Sequence, residues 1–240
     1  MKIRQHIPNT ITLFNLISGS IAIVQALDGN LHLAAILVGL AAVFDFFDGF
    51  AARLLHVKSE IGKELDSLAD VISFGLAPGV FLYILLKNNA ALSAISPQVN
   101  TIIPYLAFLV SAFSALRLAK FNLDTRQTDS FLGLPTPANA IFIISLSLIS
   151  GKYALQDAGI ISVIAGNLWI QLVLIPISCL LLVSEIPLFA LKFSNGFSFA
   201  QNKLRYVFLL LSVACLLTLQ WAGIPAIILL YILLSLIFRK

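Results

Sequence analysis

The stretch from Asp45 to Asp70 carries four aspartates at regular spacing in a strongly apolar chain. Asp45 and Asp48 are three residues apart, and Asp66 and Asp70 are four apart, so each pair shares one face of a helix. The segment between the pairs is short, so the two helices should be antiparallel neighbours whose carboxylates meet. Two unit charges 4 Å apart repel by about 4 kcal/mol at an effective dielectric near 20. Hard divalent cations favour carboxylate ligands, so the spacing predicts that these four aspartates bind cations of the Mg²⁺ type, and two ions could bridge several of the carboxylates.

The residues around the aspartates leave space for a ligand and supply one basic group. Gly49 and Ala52 lie one and four residues after Asp48, so little side chain covers that face of the helix. Arg53 adds a guanidinium, whose fork of N–H donors suits phosphate oxygens. Gly62 lies in the segment between the two aspartate pairs. A cation cluster beside an arginine and an open helix surface predicts a binding site for a diphosphate.

The elements that carry these residues are predicted to cross a membrane. The chain has 240 residues, of which 60% are hydrophobic and 11% are charged, whereas soluble domains are about half apolar and a quarter charged. A transmembrane helix needs about 20 predominantly apolar residues. We therefore expect an integral membrane protein with an all-α fold, a polytopic helix bundle. The first apolar run, from Ile7, is too long for a signal peptide and is expected to be a retained helix.

Apolar runs and the residues that interrupt them predict about eight transmembrane helices. These helices are expected at residues 7–27, 31–56, 66–86, 101–121, 138–153, 168–193, 204–221 and 224–238. Asp66 and Asp70 would then begin the third helix. Residues 1–193 would form the catalytic bundle, and residues 194–240 would add two C-terminal transmembrane helices.

Lysine and arginine are distributed unevenly over the predicted loops. If the N-terminus is cytoplasmic, only Lys87 and Lys152 of the 15 basic residues fall on the opposite side. Cytoplasmic loops of membrane proteins are enriched in Lys and Arg. We therefore expect both termini and the four aspartates at the cytoplasmic side. The net charge of +4 reflects these loops and does not indicate a nucleic-acid partner.

The aspartates and their neighbours match a known pattern. The string Asp45-x2-Asp48-Gly49-x2-Ala52-Arg53-x8-Gly62-x3-Asp66-x3-Asp70 resembles, at every position, the signature of the CDP-alcohol phosphatidyltransferases. The resemblance implies a reaction in which a CDP-linked lipid gives its phosphatidyl group to an alcohol and CMP leaves. It also implies a homodimer.

The same resemblance implies roles for individual residues. Asp45, Asp48 and Asp66 would bind a pair of divalent cations, and Asp70 would touch one ion and act as the general base. The cytidine diphosphate of the donor would contact further residues, namely Gly49, Ala52, Arg53, Ser59 and Gly62. Asn9 and Thr12 near the start of the first helix either contact the nucleotide or cap that helix.

Further segments are similar to membrane-embedded phosphatidylserine synthases of bacteria and archaea, a branch of this family. They are IPNTITLFNLISGS, ELDSLADVISFGLAPG, ALRLAKFN, FLGLPTPANA and VSEIPLFALKF. The similarity implies CDP-diacylglycerol and L-serine as substrates and a prokaryotic cytoplasmic membrane as the location. Glycerol 3-phosphate, an inositol phosphate or glycerol remain alternative acceptors.

Three polar residues at the predicted cytoplasmic end of the fourth helix are candidates for acceptor binding. Arg117 and Lys120 share one side of the helix, and Asn122 follows. The carboxylate of a zwitterionic serine needs a cation, which either basic residue could supply. The alternative is that both basic residues are ordinary anchors at the membrane surface.

Two other classes of protein also place acidic residues in membrane helices. Cation transporters do so along an ion pathway, but here the acids are confined to one side of the membrane. Membrane prenyl-diphosphate transferases use paired aspartates with magnesium, but they give no reason for Gly49, Ala52 and Arg53 at these spacings.

Overall fold

The computed structural model describes residues 2–57, 59–95, 97–123, 130–150, 154, 159–189 and 202–238. These residues are almost entirely helical, which confirms the all-α fold. The helices are α1 (Lys2–Leu27), α2 (Leu31–Leu54), α3 (Glu60–Asp70), α4 (Ala77–Lys87), α5 (Ala90–Ser93), α6 (Pro97–Ile102), α7 (Phe108–Leu123), α8 (Thr136–Leu148), α9 (Ile160–Gly166), α10 (Leu168–Val183), α11 (Lys203–Leu219) and α12 (Gly223–Ile237).

Five helical segments in the described part of the chain are long and apolar enough to cross a membrane. They are His6–Leu27, Leu31–Leu54, Glu60–Lys87, Gln98–Leu123 and Lys203–Ile237. The helices α9 and α10 meet at a bend of 70° and bring the number to six if they form one span. A polytopic membrane helix bundle is thus confirmed, but the predicted number of eight helices is not.

The segment Lys203–Ile237 folds back on itself. The rings of Phe208 and Tyr231 lie 5.9 Å apart, although 23 residues of straight helix would separate them by about 35 Å. The chain reverses in a 3₁₀ turn at Gln220–Ala222, where Gln220 has a φ of 51°. The helices α11 and α12 are therefore antiparallel, in agreement with the two separate helices predicted at residues 204–221 and 224–238.

The third helix begins earlier than predicted, at Glu60 rather than Asp66. Its first turns contain Glu60, Lys63 and Glu64, so a search for apolar runs does not detect them. Ser59 caps the helix by accepting a hydrogen bond from the backbone N–H of Gly62 at 3.1 Å. Asp66 consequently lies in the second turn of α3 and not at its start.

The sixth predicted helix ends earlier than expected, at Val183 rather than 193. Ser184 adopts an extended backbone, and Pro187–Phe189 then forms strand β2, which pairs antiparallel with β1 (Ser130–Leu132). This strand pair was not predicted from the sequence.

Several predicted features lie outside the described residues, namely helix residues 151–153 and 190–193 and the basic residues Lys58, Arg126, Lys152, Lys192, Arg239 and Lys240.

Small residues let the first helices pack closely. Ala22 and Ala26 of α1 and Ala34 and Ala41 of α2 are fully buried in a core shared with α4 and α8. Small side chains allow membrane helices to approach each other closely. The close antiparallel pair α1–α2 thereby places α1 alongside the end of α2 that carries Asp45 and Asp48.

Candidate active site

Three of the four aspartates converge, two of them on α2 and one on α3, and both helices pack against α1. Asp45, Asp48 and Asp66 each offer a carboxylate oxygen, and these oxygens lie within 4.8 Å of one another. Asp48 is 6% exposed. The Oδ1 atom of Asp66 is buried and has no hydrogen-bond partner among the described residues. A buried carboxylate oxygen without a partner is unfavourable, so the arrangement fits a divalent cation bound by these three carboxylates.

Asp70 lies next to this group but has a different partner. Its Oδ1 accepts a 3.3 Å hydrogen bond from the side-chain amide of Asn15 on α1. Asp45 interacts with the carboxylates of both Asp66 and Asp70. Asp70 therefore lies next to the three clustered carboxylates, and Asn15 on α1 orients its side chain. Asn15 was not predicted as a site residue. Its polarity, one turn after Thr12 in an apolar helix, indicated a polar partner but not which residue that partner is.

A π-helical turn, Val71–Leu76, directly follows Asp70. The hydroxyl of Ser73 donates to the backbone carbonyl of Asn15 at 3.1 Å. The hydroxyl of Ser111 on α7 donates to the carbonyl of Gly75 at 2.9 Å. Such turns are frequent at functional sites. Here the turn is fastened to α1 on one side and to α7 on the other, which fixes the position of Asp70.

A cavity of about 580 Å³ opens beside Asp48 and Asp66. All the residues predicted to bind the donor line it, except Arg53. The lining residues are Pro8, Asn9, Thr12, Asp48, Gly49, Ala52, Val57, Ser59, Glu60, Gly62, Lys63 and Asp66. Five of the eight signature residues thus line one cavity, namely Asp48, Gly49, Ala52, Gly62 and Asp66.

Thr12 and Asn9 lie in the interior of α1, which begins at Lys2. The alternative that they cap this helix is therefore wrong. The hydroxyl of Thr12 donates to Asp48 at 2.6 Å. A Cβ atom at Gly62 would lie 2.8 Å from Oδ1 of Asn9, so glycine allows α3 to pack directly against α1.

Arg53 is exposed and does not line the cavity. Its guanidinium lies over Gly49, where an added Cβ would be 3.4 Å from Nη1. Gly49 therefore leaves room for the arginine on the helix surface next to Asp48.

The three residues predicted to bind the acceptor are not together. Arg117 is buried, donates to the hydroxyl of Thr136 at 2.8 Å and interacts electrostatically with Asp70. Lys120 is exposed. The side chain of Asn122 donates to Ser67 at 2.8 Å, so it joins the end of α7 to α3. None of these three lines the 580 Å³ cavity.

The cavity also contains residues that the sequence analysis missed. Lys63 is one turn before Asp66, and its ammonium donates to the backbone carbonyl of Asn122 at 2.8 Å. Its position next to the signature was an available signal. Pro8 and Val57 form apolar parts of the wall, and no chemical property distinguished them in the sequence.

Comparison with known proteins gives consistent results. The family model described as CDP-alcohol phosphatidyltransferase matches residues 5–238. A CDP-diacylglycerol–serine O-phosphatidyltransferase of Bacillus subtilis is 37% identical over 142 residues, which are 59% of this chain and 75% of the relative.

Two further relatives cover similar parts of the chain. An archaetidylserine synthase of Methanothermobacter thermautotrophicus is 35% identical over 170 residues, 69% of this chain and 67% of the relative. A CDP-diacylglycerol–serine O-phosphatidyltransferase of Helicobacter pylori is 36% identical over 148 residues, 61% of this chain. The chain spans 59% of the length of that relative.

Proposed function

The chain belongs to the CDP-alcohol phosphatidyltransferase family, and from that premise we propose that it transfers the phosphatidyl group of CDP-diacylglycerol to the hydroxyl of L-serine. The products are phosphatidylserine and CMP. The observation that carries this proposal is the convergence of Asp45, Asp48 and Asp66 within 4.8 Å, since two of these carboxylates also line a cavity with the predicted donor residues. The names of the relatives support serine as the acceptor.

The acidic cluster is proposed to hold two divalent cations, Mg²⁺ or Mn²⁺. Asp45, Asp48 and Asp66 would be the main ligands, and Asp70 would contact one ion. When bound, the cations neutralise phosphate oxygens and favour departure of the nucleotide. The unpartnered Oδ1 of Asp66 supports this assignment.

Asp70 is proposed as the general base. The hydrogen bond from Asn15 to Oδ1 orients this carboxylate, which would receive the proton of the serine hydroxyl. The serine oxygen then forms a bond to the phosphatidyl phosphorus, and the bond from that phosphorus to the CMP oxygen breaks. General bases must lie within hydrogen-bonding reach of the proton that they abstract, so the serine hydroxyl is expected beside Asp70.

The donor headgroup is proposed to occupy the 580 Å³ cavity. Gly49 and Ala52 add little side-chain volume to the cavity wall, and Asn9 and Ser59 offer polar groups to the nucleotide. The guanidinium of Arg53, which lies over Gly49, would reach a phosphate oxygen with a modest rearrangement. Lys63 adds a second basic group in the wall.

For the acceptor, the buried position of Arg117 near Asp70 supports a role in binding the serine carboxylate. Lys120 and Asn122 stay predictions, and the contact of Asn122 with Ser67 also explains it as a structural residue. A buried arginine would equally bind a phosphate, so glycerol 3-phosphate or an inositol phosphate is the main alternative acceptor. Glycerol has no anionic group that this arginine could bind.

The setting of the enzyme is also a proposal. We expect both termini and the active site at the cytoplasmic side of a prokaryotic membrane, and we expect a homodimer. Impermeant thiol labelling of single cysteines at positions 63 and 87 tests the orientation, because these positions should face opposite sides. Equal labelling of both positions from one side would contradict this orientation.

The homodimer has its own test. The mass of the purified protein in detergent is measured by light scattering, and the mass of a monomer would contradict the dimer.

The acceptor screen tests the function directly. Purified protein is given CDP-diacylglycerol with Mg²⁺ or Mn²⁺ and one alcohol at a time, and CMP release is measured with and without a chelator. We expect release with L-serine that the chelator abolishes. Release with a phosphorylated polyol in place of serine would contradict the serine assignment.

A further inference from the structure

Buried polar atoms without partners are concentrated on α7 and α8. Asn139 on α8 is fully buried, and within the described ranges neither its amide nitrogen nor its amide oxygen has a hydrogen-bond partner. The Nε of Arg117 and the hydroxyl of Ser114, both on α7, are likewise buried and unpartnered in that part of the chain. None of these residues lines the donor cavity.

These atoms belong to one region beside Asp70. Arg117 donates to Thr136 at 2.8 Å, and Asn139 follows Thr136 by three residues on the same face of α8. Ser114 precedes Arg117 by one turn on α7.

The π-helical turn connects this region to the general base. Its Gly75 packs so closely on α7 that an added Cβ would lie 3.2 Å from Cβ of Ser114. The helix α8 also packs against this turn, which begins directly after Asp70. Arg117 interacts electrostatically with Asp70. The unpartnered atoms thus belong to the two helices that pack against the turn after Asp70, and one of them belongs to Arg117, which interacts with Asp70 itself.

An unpartnered buried polar group is unfavourable, so several such groups in one region indicate a bound polar molecule. The chemical types present restrict what that molecule can be. A guanidinium N–H and an amide N–H suit a carboxylate. An amide oxygen and a serine hydroxyl accept hydrogen bonds, so they suit an ammonium group. A free α-amino acid carries both charged groups on one carbon.

We propose that Asn139, together with Arg117 and Ser114, forms a subsite that binds the α-carboxylate and α-ammonium groups of the acceptor and directs its hydroxyl towards Asp70. This inference rests on the proposed function, because it assumes an amino-acid acceptor. Asn139 would be the residue that determines specificity. A phosphorylated polyol has no cationic group for the amide oxygen of Asn139. Serine offers its ammonium group to that oxygen and its carboxylate to the amide nitrogen.

Asn139→Leu tests the subsite, with Ser147→Ala as the matched control. Ser147 is also buried on α8, but its hydroxyl donates to the carbonyl of Ile143 at 3.2 Å within the helix. We expect Asn139→Leu to raise the KM for L-serine about 10-fold or more, as loss of about 1.4 kcal/mol of binding predicts. The KM for CDP-diacylglycerol should stay unchanged, and Ser147→Ala should change neither.

The melting temperature separates a binding role from a structural one. Because both amide atoms of Asn139 lack partners in the described structure, Asn139→Leu should melt at or above the wild-type temperature. A lower melting temperature with both KM values raised, or an unchanged serine KM, would overturn the subsite.

The wild-type enzyme supplies a test that does not depend on a variant. Ethanolamine lacks the carboxylate of serine, and 3-hydroxypropionate lacks the ammonium group. Each should support CMP release at least about 10-fold less efficiently than L-serine. Ethanolamine used as well as serine would overturn the subsite alone, whereas glycerol 3-phosphate used in place of serine would overturn both the subsite and the proposed function.

Discussion

The hydroxyl of Thr12 on α1 donates a 2.6 Å hydrogen bond to the Oδ2 of Asp48 on α2. Both residues are buried and line the same cavity. A short hydrogen bond to a carboxylate fixes the orientation of that carboxylate. Thr12 therefore holds one oxygen of Asp48 in place and leaves the other for a cation, which makes it a supporting residue of the acidic cluster.

Thr12→Val should raise the Mg²⁺ concentration needed for half-maximal CMP release by about 10-fold, since loss of a residue that orients a metal ligand typically weakens binding by about 10–100-fold. Valine keeps the shape of threonine but has no hydroxyl. Thr10→Val is the matched control, because the hydroxyl of Thr10 bonds to the backbone carbonyl of His6 and is exposed. If both variants require the same metal concentration, Thr12 does not support the cluster.

Asp70→Asn and Asp48→Asn should impair different steps, the first turnover alone and the second donor binding as well. Asp70→Asn removes the proposed base but leaves the cluster of Asp45, Asp48 and Asp66, so it should abolish turnover and largely preserve donor binding. Asp48→Asn removes a proposed cation ligand, so metal-dependent donor binding should also weaken. Turnover assays combined with calorimetry of donor binding measure both effects. Equal, mild losses in the two variants would show that the roles are wrongly assigned.

Gly62→Ala should weaken donor binding, because its Cβ would lie 2.8 Å from Oδ1 of Asn9 and 3.3 Å from Cβ of Ser59. Either the side chain of Asn9 would have to turn away from its position in the cavity wall, or α3 would have to move away from α1, and both changes alter the proposed donor site. Gly39→Ala on α2 is the control, since nothing lies within 4 Å of the added Cβ. It should keep full activity and raise the stability of the helix by about 0.5–1 kcal/mol. Donor affinity that is unchanged in Gly62→Ala would contradict the close approach of α1 and α3.

The acidic cluster could be predicted from the sequence because helical spacing is a local property. Residues three or four apart share a helix face wherever the helix lies, and a short connection makes neighbouring helices antiparallel. Asp45, Asp48 and Asp66 meet as this reasoning requires. The start of α3 was not predicted correctly, because its polar first turns, from Glu60, have the low hydropathy of a loop.

Partners that come from distant segments could not be predicted. Asn15 precedes Asp70 by 55 residues and reaches it only through the packing of α1 against α3. Phe131 pairs with Leu188, but the first lies in a segment predicted as a loop and the second lies within the predicted helix 168–193. Arg117 and Lys120 share a helix end, but only the packing of α7 buries the first and exposes the second.

Donor binding with and without a divalent cation tests the central claim most directly. Calorimetry on the purified protein, with CDP-diacylglycerol in mixed micelles, measures the affinity in Mg²⁺, in chelator and for the Asp66→Asn variant. We expect tight binding in Mg²⁺ and a loss of at least about 10-fold both in chelator and in the variant. The same affinity under all three conditions would contradict the claim that the clustered carboxylates bind the donor through cations.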